Sequence, residues 1–280
     1  MADCTHDCST CSENCSERAP ESFLKPLNPY SRVKKVIGVV SGKGGVGKSL
    51  VTALLASEMQ RRGHRCAVLD ADITGPSIPK SFGIRQHATG TEEYLIPVTT
   101  ESGLQVMSIN LILEDETEPV VWRGPVIAGA VTQFWTDVVW TDVDYMFVDL
   151  PPGTGDVPLT VFQSLPIDGV IIVTTPQDLV GMIVAKAMNM AGLMNVPVLG
   201  IVENMSYFTC PDCGRRHEIF GPSRVSGIAQ AFAIPHTARI PIDPAITARV
   251  DAGEVESVSG EYVAELADSL EKELPLKEEN

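Results

Sequence analysis

The run Gly42-Lys43-Gly44-Gly45-Val46-Gly47-Lys48-Ser49 constrains this chain more than any other stretch, because it satisfies G-x-x-x-x-G-K-[ST], the spacing of a loop that wraps phosphate groups. Such a loop needs a strand before it and a helix after it. Both are legible: Val36-Ile37-Gly38-Val39-Val40 reads as a buried strand, and Leu50 to Arg62 reads as the helix leaving the loop. Glycines let successive backbone N–H groups face one anion, and the helix N-terminus adds partial positive charge. Lys48 can then reach the β- and γ-phosphates, and Ser49 offers a hydroxyl to Mg2+. The expected nucleotide contacts run through Gly42, Lys43, Gly44, Gly45, Val46, Gly47, Lys48, Ser49 and Leu50.

The elements downstream set the fold class. Apolar strands over Cys66 to Asp70 and Tyr145 to Asp149 each end in aspartate, and strands over Gly169 to Thr174 and Val198 to Asn204 flank a helix over Leu179 to Met194. Strands alternating with helices predict an α/β, doubly wound, mostly parallel P-loop sheet with its functional groups at strand C-termini. Gly83 to Leu104 reads as an insertion with a short hairpin. Leu266, Leu270 and Leu274 recur at helical spacing among acids, which predicts a closing amphipathic helix, with an exposed docking helix as the alternative. Residues 1–31, interrupted by Pro20, Pro26 and Pro29, read as a short cysteine-rich tail and linker, and residues 32–280 as one P-loop domain.

Composition narrows the partners. A chain of 280 residues that is 44% hydrophobic can bury a large core, and its formal net charge of −15 repels nucleic-acid backbones and anionic membrane surfaces. Neither nucleic acid nor membrane is an expected partner. No run reaches the roughly 18 apolar residues of a membrane span, and Met1-Ala2-Asp3-Cys4 begins polar with no secretory segment, so a cytoplasmic location is expected. In a reducing compartment the seven cysteines serve metal or redox chemistry before disulfides.

Asp149-Leu150-Pro151-Pro152-Gly153-Thr154-Gly155-Asp156 places a carboxylate and a mobile glycine-rich turn beside the phosphates, the arrangement of a switch that holds Mg2+ through water. Asp72, after the strand ending at Asp70, is placed to approach an attacking water, or else to cap the following turn. Lys43-Gly44-Gly45, the stretch Asp72-Ile73-Thr74-Gly75-Pro76-Ser77 and the Asp149 switch together resemble the MinD/ParA-type deviant P-loop ATPases. That resemblance implies that Lys43 crosses a dimer interface to the partner's phosphates, Lys48 binds in cis, Asp72 orients water and Asn204 reads adenine. It also implies that Pro241-Ile242-Asp243-Pro244, with Pro241 and Asp243 foremost, lies near the base.

The cysteines split that superfamily. Glu203-Asn204-Met205-Ser206-Tyr207-Phe208-Thr209-Cys210-Pro211-Asp212-Cys213-Gly214, then Ile219-Phe220-Gly221, resembles the Mrp/Nbp-type, ApbC-like iron–sulfur cluster carrier ATPases. Trp122-Arg123-Gly124-Pro125 and Thr175-Pro176-Gln177 fit as well, and the resemblance runs from about Lys35 to Ala252. Two thiolates spaced C-x-x-C leave a metal half-ligated, and a two-fold copy supplies the other half, enough for a [4Fe–4S] cluster bridging a homodimer. Taken alone, C-P-x-C-G suits structural zinc; beside a P-loop, iron–sulfur is the expectation. A thioredoxin-like dithiol is disfavoured because the knuckle follows Asn204 in a loop. His6 and His217 are spare ligands at best, and Cys66 lies in an apolar strand and reads as core.

Cys4, Cys8, Cys11 and Cys15 are compact enough to hold one metal centre, and their spacing also places them on one helical face. Eukaryotic relatives in the resembled family carry a four-cysteine N-terminal site with longer gaps, so a stable cluster, a transient one and zinc all stay open here. The radical-enzyme loop C-x3-C-x2-C needs a barrel, which this chain does not build. Arg249-Val250-Asp251-Ala252-Gly253-Glu254 only partly matches the family's terminal signature. The expectation is a homodimeric ATPase using ATP, Mg2+ and a [4Fe–4S] cluster, and passing that cluster to apo iron–sulfur acceptor proteins. The competing classes are a MinD/ParA-like spatial organiser and an electron donor like the nitrogenase iron protein. The first lacks its basic C-terminal surface, since Glu261 to Asn280 holds seven acids against Lys272 and Lys277. The second draws its cluster cysteines from positions far apart in sequence, unlike Cys210 and Cys213.

Overall fold

The computed structural model describes residues 23–72, 75, 77–91, 93–113, 124–153, 155–176 and 180–277. The strands are β1 (Val33–Ser41), β2 (Cys66–Asp70), β3 (Thr89–Gly90), β4 (Leu95–Ile96), β5 (Val98–Thr99), β6 (Gln105–Ser108), β7 (Val143–Asp149), β8 (Gly169–Thr174), β9 (Val198–Glu203), β10 (Phe208–Thr209), β11 (Arg216–His217) and β12 (His236–Arg239). The helices are α1 (Lys48–Arg61), α2 (Ser77–Ser81), α3 (Gly124–Thr136), α4 (Asp156–Ser164), α5 (Val180–Leu193), α6 (Val225–Ala231), α7 (Pro244–Asp251) and α8 (Ala264–Glu273).

Eight strands form one sheet in the order β12-β9-β8-β1-β7-β2-β6-β5. Its neighbours run parallel except β5, which lies antiparallel to β6. A parallel sheet must be covered on both faces, and β1 shows how the sequence arranges it. Ile37 and Val39 point into one apolar layer with Leu54 and Leu55 of α1 and Leu266 and Leu270 of α8. Val36 and Val40 point into the other, with Trp135 of α3, Val161 of α4, Val184 of α5 and Ala229 of α6. From β1 the chain crosses to β2, adds β5 and β6 beyond it, returns to insert β7 between β1 and β2, and then adds β8, β9 and β12 on the other side of β1. The crevice of such a sheet opens at that reversal, above the C-terminal end of β1, where the glycine loop begins.

Two differences from the sequence reading have physical reasons. Gln105–Ser108 is a full member of the parallel sheet, although polar at both ends, because Gln105 is satisfied by Thr141 on both its amide atoms and Ser108 by Asp70. The Gly83 to Leu104 insertion carries the expected hairpin, β3 with β4, and its end β5 borders the sheet. The described part of the anticipated linker lies on the body: Lys25 N donates to Ser164 O at 2.9 Å, Trp135 Nε1 donates to Lys25 O at 3.1 Å, and Asn28 is buried.

Helix α8 packs on its own core. Leu266, Leu270 and Leu274 are buried, while Arg62 of the α1 C-terminus reaches across to Asp268 and Glu271 on the outer side. Full burial of a leucine contributes about 1.5–3 kcal/mol, against a few tenths for an exposed ion pair. Leu270→Ala is therefore expected to lower unfolding stability by about 2–5 kcal/mol in urea titrations. An unchanged midpoint would mean that the stripe faces solvent as a docking surface.

Candidate functional site

The glycine loop is shaped by contacts that leave no room for side chains. A Cβ on Gly42 would fall 2.2 Å from Ile183 Cγ2, and one on Gly47 would fall 2.1 Å from Asn204 Nδ2. Gly47 caps α1 with φ of 80°, a left-handed conformation that a residue with a side chain adopts only with strain. Ser41 Oγ donates to the Lys43 carbonyl at 3.0 Å, closing the loop at its start. The cavity above has a volume of about 380 Å3 and is lined by Ser41, Lys43 through Leu50, Asp72, Ser77, Ser81, Pro152 and Val250.

Lys48 sits at the floor of that cavity, 5% exposed, with Nζ 2.8 Å from Asp149 Oδ1 and 3.4 Å from Asp72 Oδ2. Neither contact has hydrogen-bond geometry, so the buried ammonium keeps its donors unsatisfied among the described residues. A buried ammonium at the foot of the glycine loop, ion-paired but without a hydrogen-bond partner among the described residues, fits the phosphates of a nucleotide. Asp149 is fully buried and accepts from Ser49 Oγ at 2.6 Å and Thr52 Oγ1 at 2.8 Å. Ser49 Oγ and Asp149 are the groups that would hold Mg2+, with hard oxygen donors suited to it. Asp72 reaches Lys48 across the mouth and is not limited to capping its own turn. Asp70, beside Asp149 in the β2–β7 register, is fully enclosed; burial first, and then the Asp149 charge, raise its carboxyl well above the ordinary range.

Asn204 lies under the loop. Its Nδ2 donates to the Val46 carbonyl at 2.9 Å and its side chain is buried, so it supports the loop backbone directly. Asp243 caps α7 by accepting from Ala245 N at 2.8 Å, and Pro241 and Asp243 line a neighbouring hollow together with Tyr207 and Tyr262.

Cys210 and Cys213 stand on the turn of the β10–β11 hairpin, which leaves the sheet just after β9. Cys210 N donates to Arg215 O and Gly214 N to Cys210 O, both at 2.9 Å, with Gly214 at φ of 69°. This is a tight knuckle that turns the amides inward. The backbone N–H of Cys213, then that of Asp212, lower the Cys210 thiol from its ordinary range, which favours the thiolate that binds metal. Both cysteines are free thiols, Cys213 exposed and Cys210 half-buried, while Cys66 is buried and burial pushes its thiol up. Among the described residues no group of three or more metal-ligating side chains converges, so the hairpin offers two thiols and no third ligand.

Because the sheet is parallel, the glycine loop after β1, Asp72 after β2, Asp149 at the end of β7 and the cysteine hairpin after β9 all lie on one edge. Cys4, Cys8, Cys11 and Cys15 lie outside the described residues, as do Trp122, Arg123, Thr154 and Gln177. The sequence reading missed Thr52, whose signal was a hydroxyl one helical turn after Lys48 in an apolar helix. It also missed Arg239, Ser206 and Glu203 as a linked set, since Arg239 ends β12 while Glu203 and Ser206 lie at the exit of β9.

Comparison with known proteins agrees with this geometry. Residues 32–274 match the family described as ParA, NUBPL iron-transfer P-loop NTPase. The chain is 43% identical over 268 residues to an iron–sulfur cluster carrier protein of Clostridium perfringens, covering 92% of each. Among solved structures it is similar to a nucleotide-binding protein of Archaeoglobus fulgidus in complex with ADP, at a TM-score of 0.75 and 43% identity, covering 83% of this chain and 91% of that one. The cell-division ATPase MinD of Pyrococcus furiosus shares the fold alone, at a TM-score of 0.59 and 20% identity, covering 85% of this chain and 99% of that one. With its glycine loop, the buried Asp149 beside Lys48 and its thiol hairpin on one sheet edge, the chain belongs to the ParA/NUBPL family of iron-transfer P-loop NTPases.

Proposed function

We propose that this chain is an ATP-hydrolysing iron–sulfur cluster carrier: two copies hold one [4Fe–4S] cluster between their Cys210–Cys213 hairpins and deliver it to apo iron–sulfur proteins. The hairpin carries the proposal. It presents two thiols, one of them biased toward thiolate, and nothing else in the described chain completes the site. A cubane cluster takes four thiolates, and a two-fold copy of the hairpin supplies the missing pair. The relatives named iron–sulfur cluster carrier proteins support the same reading.

The ATPase half follows from the charges at the loop. The γ-phosphate offers Lys48 the hydrogen-bonded partner that Asp149 and Asp72 do not. Once Lys48 turns to phosphate, Asp149 and Ser49 are released to hold Mg2+, which spreads the developing charge of phosphoryl transfer. Asp72 then accepts a hydrogen bond from the attacking water, and water adds to the γ-phosphorus as ADP leaves. Lys43, half-buried at the loop's rim, reaches the phosphates of the second copy and ties closure of the dimer to nucleotide. Linked sites of this kind typically differ by about 1–3 kcal/mol, a roughly 5- to 150-fold change in cluster retention. Cys4, Cys8, Cys11 and Cys15 of the N-terminal segment supply a second soft-metal site, for an iron–sulfur cluster or zinc.

Anaerobic reconstitution tests the cargo. With Cys4, Cys8, Cys11 and Cys15 replaced by serine, the protein should bind iron and sulfide at about four each per dimer with a broad visible absorption band, and Cys210→Ala with Cys213→Ala should remove that cluster. Full retention in the double variant with the N-terminal cysteines also replaced would refute the bridging site, and a zinc-only protein would identify a structural knuckle.

The two lysines should separate by calorimetry. Lys48→Ala is expected to abolish nucleotide binding, because the phosphate charge loses its buried partner. Lys43→Ala should spare most of the affinity and lose turnover and ATP-dependent dimer tightening. Equal loss of binding in both would make Lys43 a ligand in cis.

Asp72→Asn should bind ATP and hydrolyse it slowly, since an amide cannot accept the water's proton. A cluster loaded on that trapped form should move to an apo-ferredoxin at a rate different from that of the nucleotide-free protein. Identical rates with ATP, with ADP and without nucleotide would show that the ATPase serves another step.

A further inference from the structure

We infer that Arg239, through Glu203, Ser206 and Tyr207, is a positioning residue that transmits the state of the nucleotide loop to the cysteine hairpin. The inference rests on the proposed carrier reading only for its biological meaning. Its physical content is a contact chain from one site to the other. At the loop end, Asn204 Nδ2 holds the Val46 carbonyl and packs under Gly47, so a shift of the loop acts directly on the residue that follows β9. The next residue back, Glu203, is fully buried, and its Oε1 accepts from Ser206 Oγ at 2.5 Å and faces Arg239 Nε at 3.6 Å. Arg239 Nε also donates to Ser206 Oγ at 2.6 Å. The guanidinium then lies 5.4 Å from the centre of the Tyr207 ring, while Arg216 of β11 lies 4.5 Å from that ring. One aromatic ring is thus gripped by one cation from the sheet and one from the hairpin.

Three features favour movement over a rigid bracket. Met205, at the corner between Asn204 and Ser206, has φ of 54°, an uncommon conformation for a residue with a side chain. Glu203 Oε2 is buried with no hydrogen-bond partner among the described residues, so the corner is not fully satisfied. Beneath the hairpin lies a hollow of about 760 Å3, bounded by Tyr207, Phe208 and Thr209 on one side and Pro241, Asp243 and Tyr262 on the other. Past Tyr207, whose carbonyl accepts from Ile242 N at 2.7 Å, the hairpin stands over open space with its thiols at the far end.

Thiol chemistry reads this relay without any cluster. In the full chain with Cys4, Cys8, Cys11 and Cys15 replaced by serine, Cys66 is buried and an aromatic disulfide reagent reports Cys210 and Cys213. A bound non-hydrolysable ATP analogue with Mg2+ is expected to change their modification rate by about 5-fold or more. Arg239→Gln combined with Glu203→Gln, which removes both charges together, should bring that ratio below about 2-fold while the analogue still binds. Tyr207→Leu should do the same, and Tyr207→Phe should keep the full response, since the ring and not the hydroxyl is gripped. A wild-type rate indifferent to bound analogue, or a full response in both Tyr207→Leu and the paired charge variant, would overturn the relay. A chain that shows the thiol response yet never holds iron and sulfide would sink the carrier reading and leave the relay standing. One that holds a cluster without the response would do the reverse.

Discussion

Everything at the working edge of this protein turns on a buried ammonium. Lys48 is enclosed at the first turn of α1, within 2.8 Å of Asp149 and 3.4 Å of Asp72, yet hydrogen-bonded to neither. Taking such a charge out of water carries a penalty of several kcal/mol, which nearby carboxylates offset only in part when the geometry is imperfect. The helix that carries Lys48 is anchored independently by Leu54, Leu55 and Met59 in the apolar layer beneath β1. Packing thus holds the cation where its own electrostatics are incomplete, and an anion with several oxygens in the loop relieves the deficit.

The same carboxylates tie the groups around Lys48 into one unit. Asp149 accepts from Ser49 and Thr52 and faces Lys48, so a shift of any one of these groups reaches the others through a single buried acid. Asp70 beside it is held toward its neutral form by burial and by the Asp149 charge, which limits the negative charge packed at the ends of β2 and β7. The cluster is therefore tuned as much by what is kept uncharged as by what is charged.

Placement of the thiol hairpin follows from sheet direction. A parallel strand order forces the exits of β1, β2, β7 and β9 onto one edge, so a glycine loop and a C-x-x-C knuckle separated by about 160 positions in the chain leave the sheet from the same edge. The knuckle needs little support of its own. Its two inward-turned amides bias Cys210 toward thiolate locally, while β9 and β12 hold its root against the body.

The sequence by itself determined the phosphate loop, the parallel α/β class and the pairing of Cys210 with Cys213. Each of these is local: glycines at fixed spacing, an apolar run of strand length, two thiols on one turn. Gln105–Ser108 and His236–Arg239 were not legible as strands, because short segments with polar ends acquire their strand character from the neighbours that pair with them. The surroundings of Asn204 were not legible either. Its contact with Val46 depends on how closely β9 approaches the loop, an approach that the missing side chain of Gly47 permits. Tertiary structure likewise decided that Glu203, Ser206 and Arg239 form one linked set, since the ends of β9 and β12 must meet before a buried carboxylate can find its guanidinium. Local chemistry is written in spacing; coupling between sites exists only once packing has brought distant side chains within a few ångströms of each other.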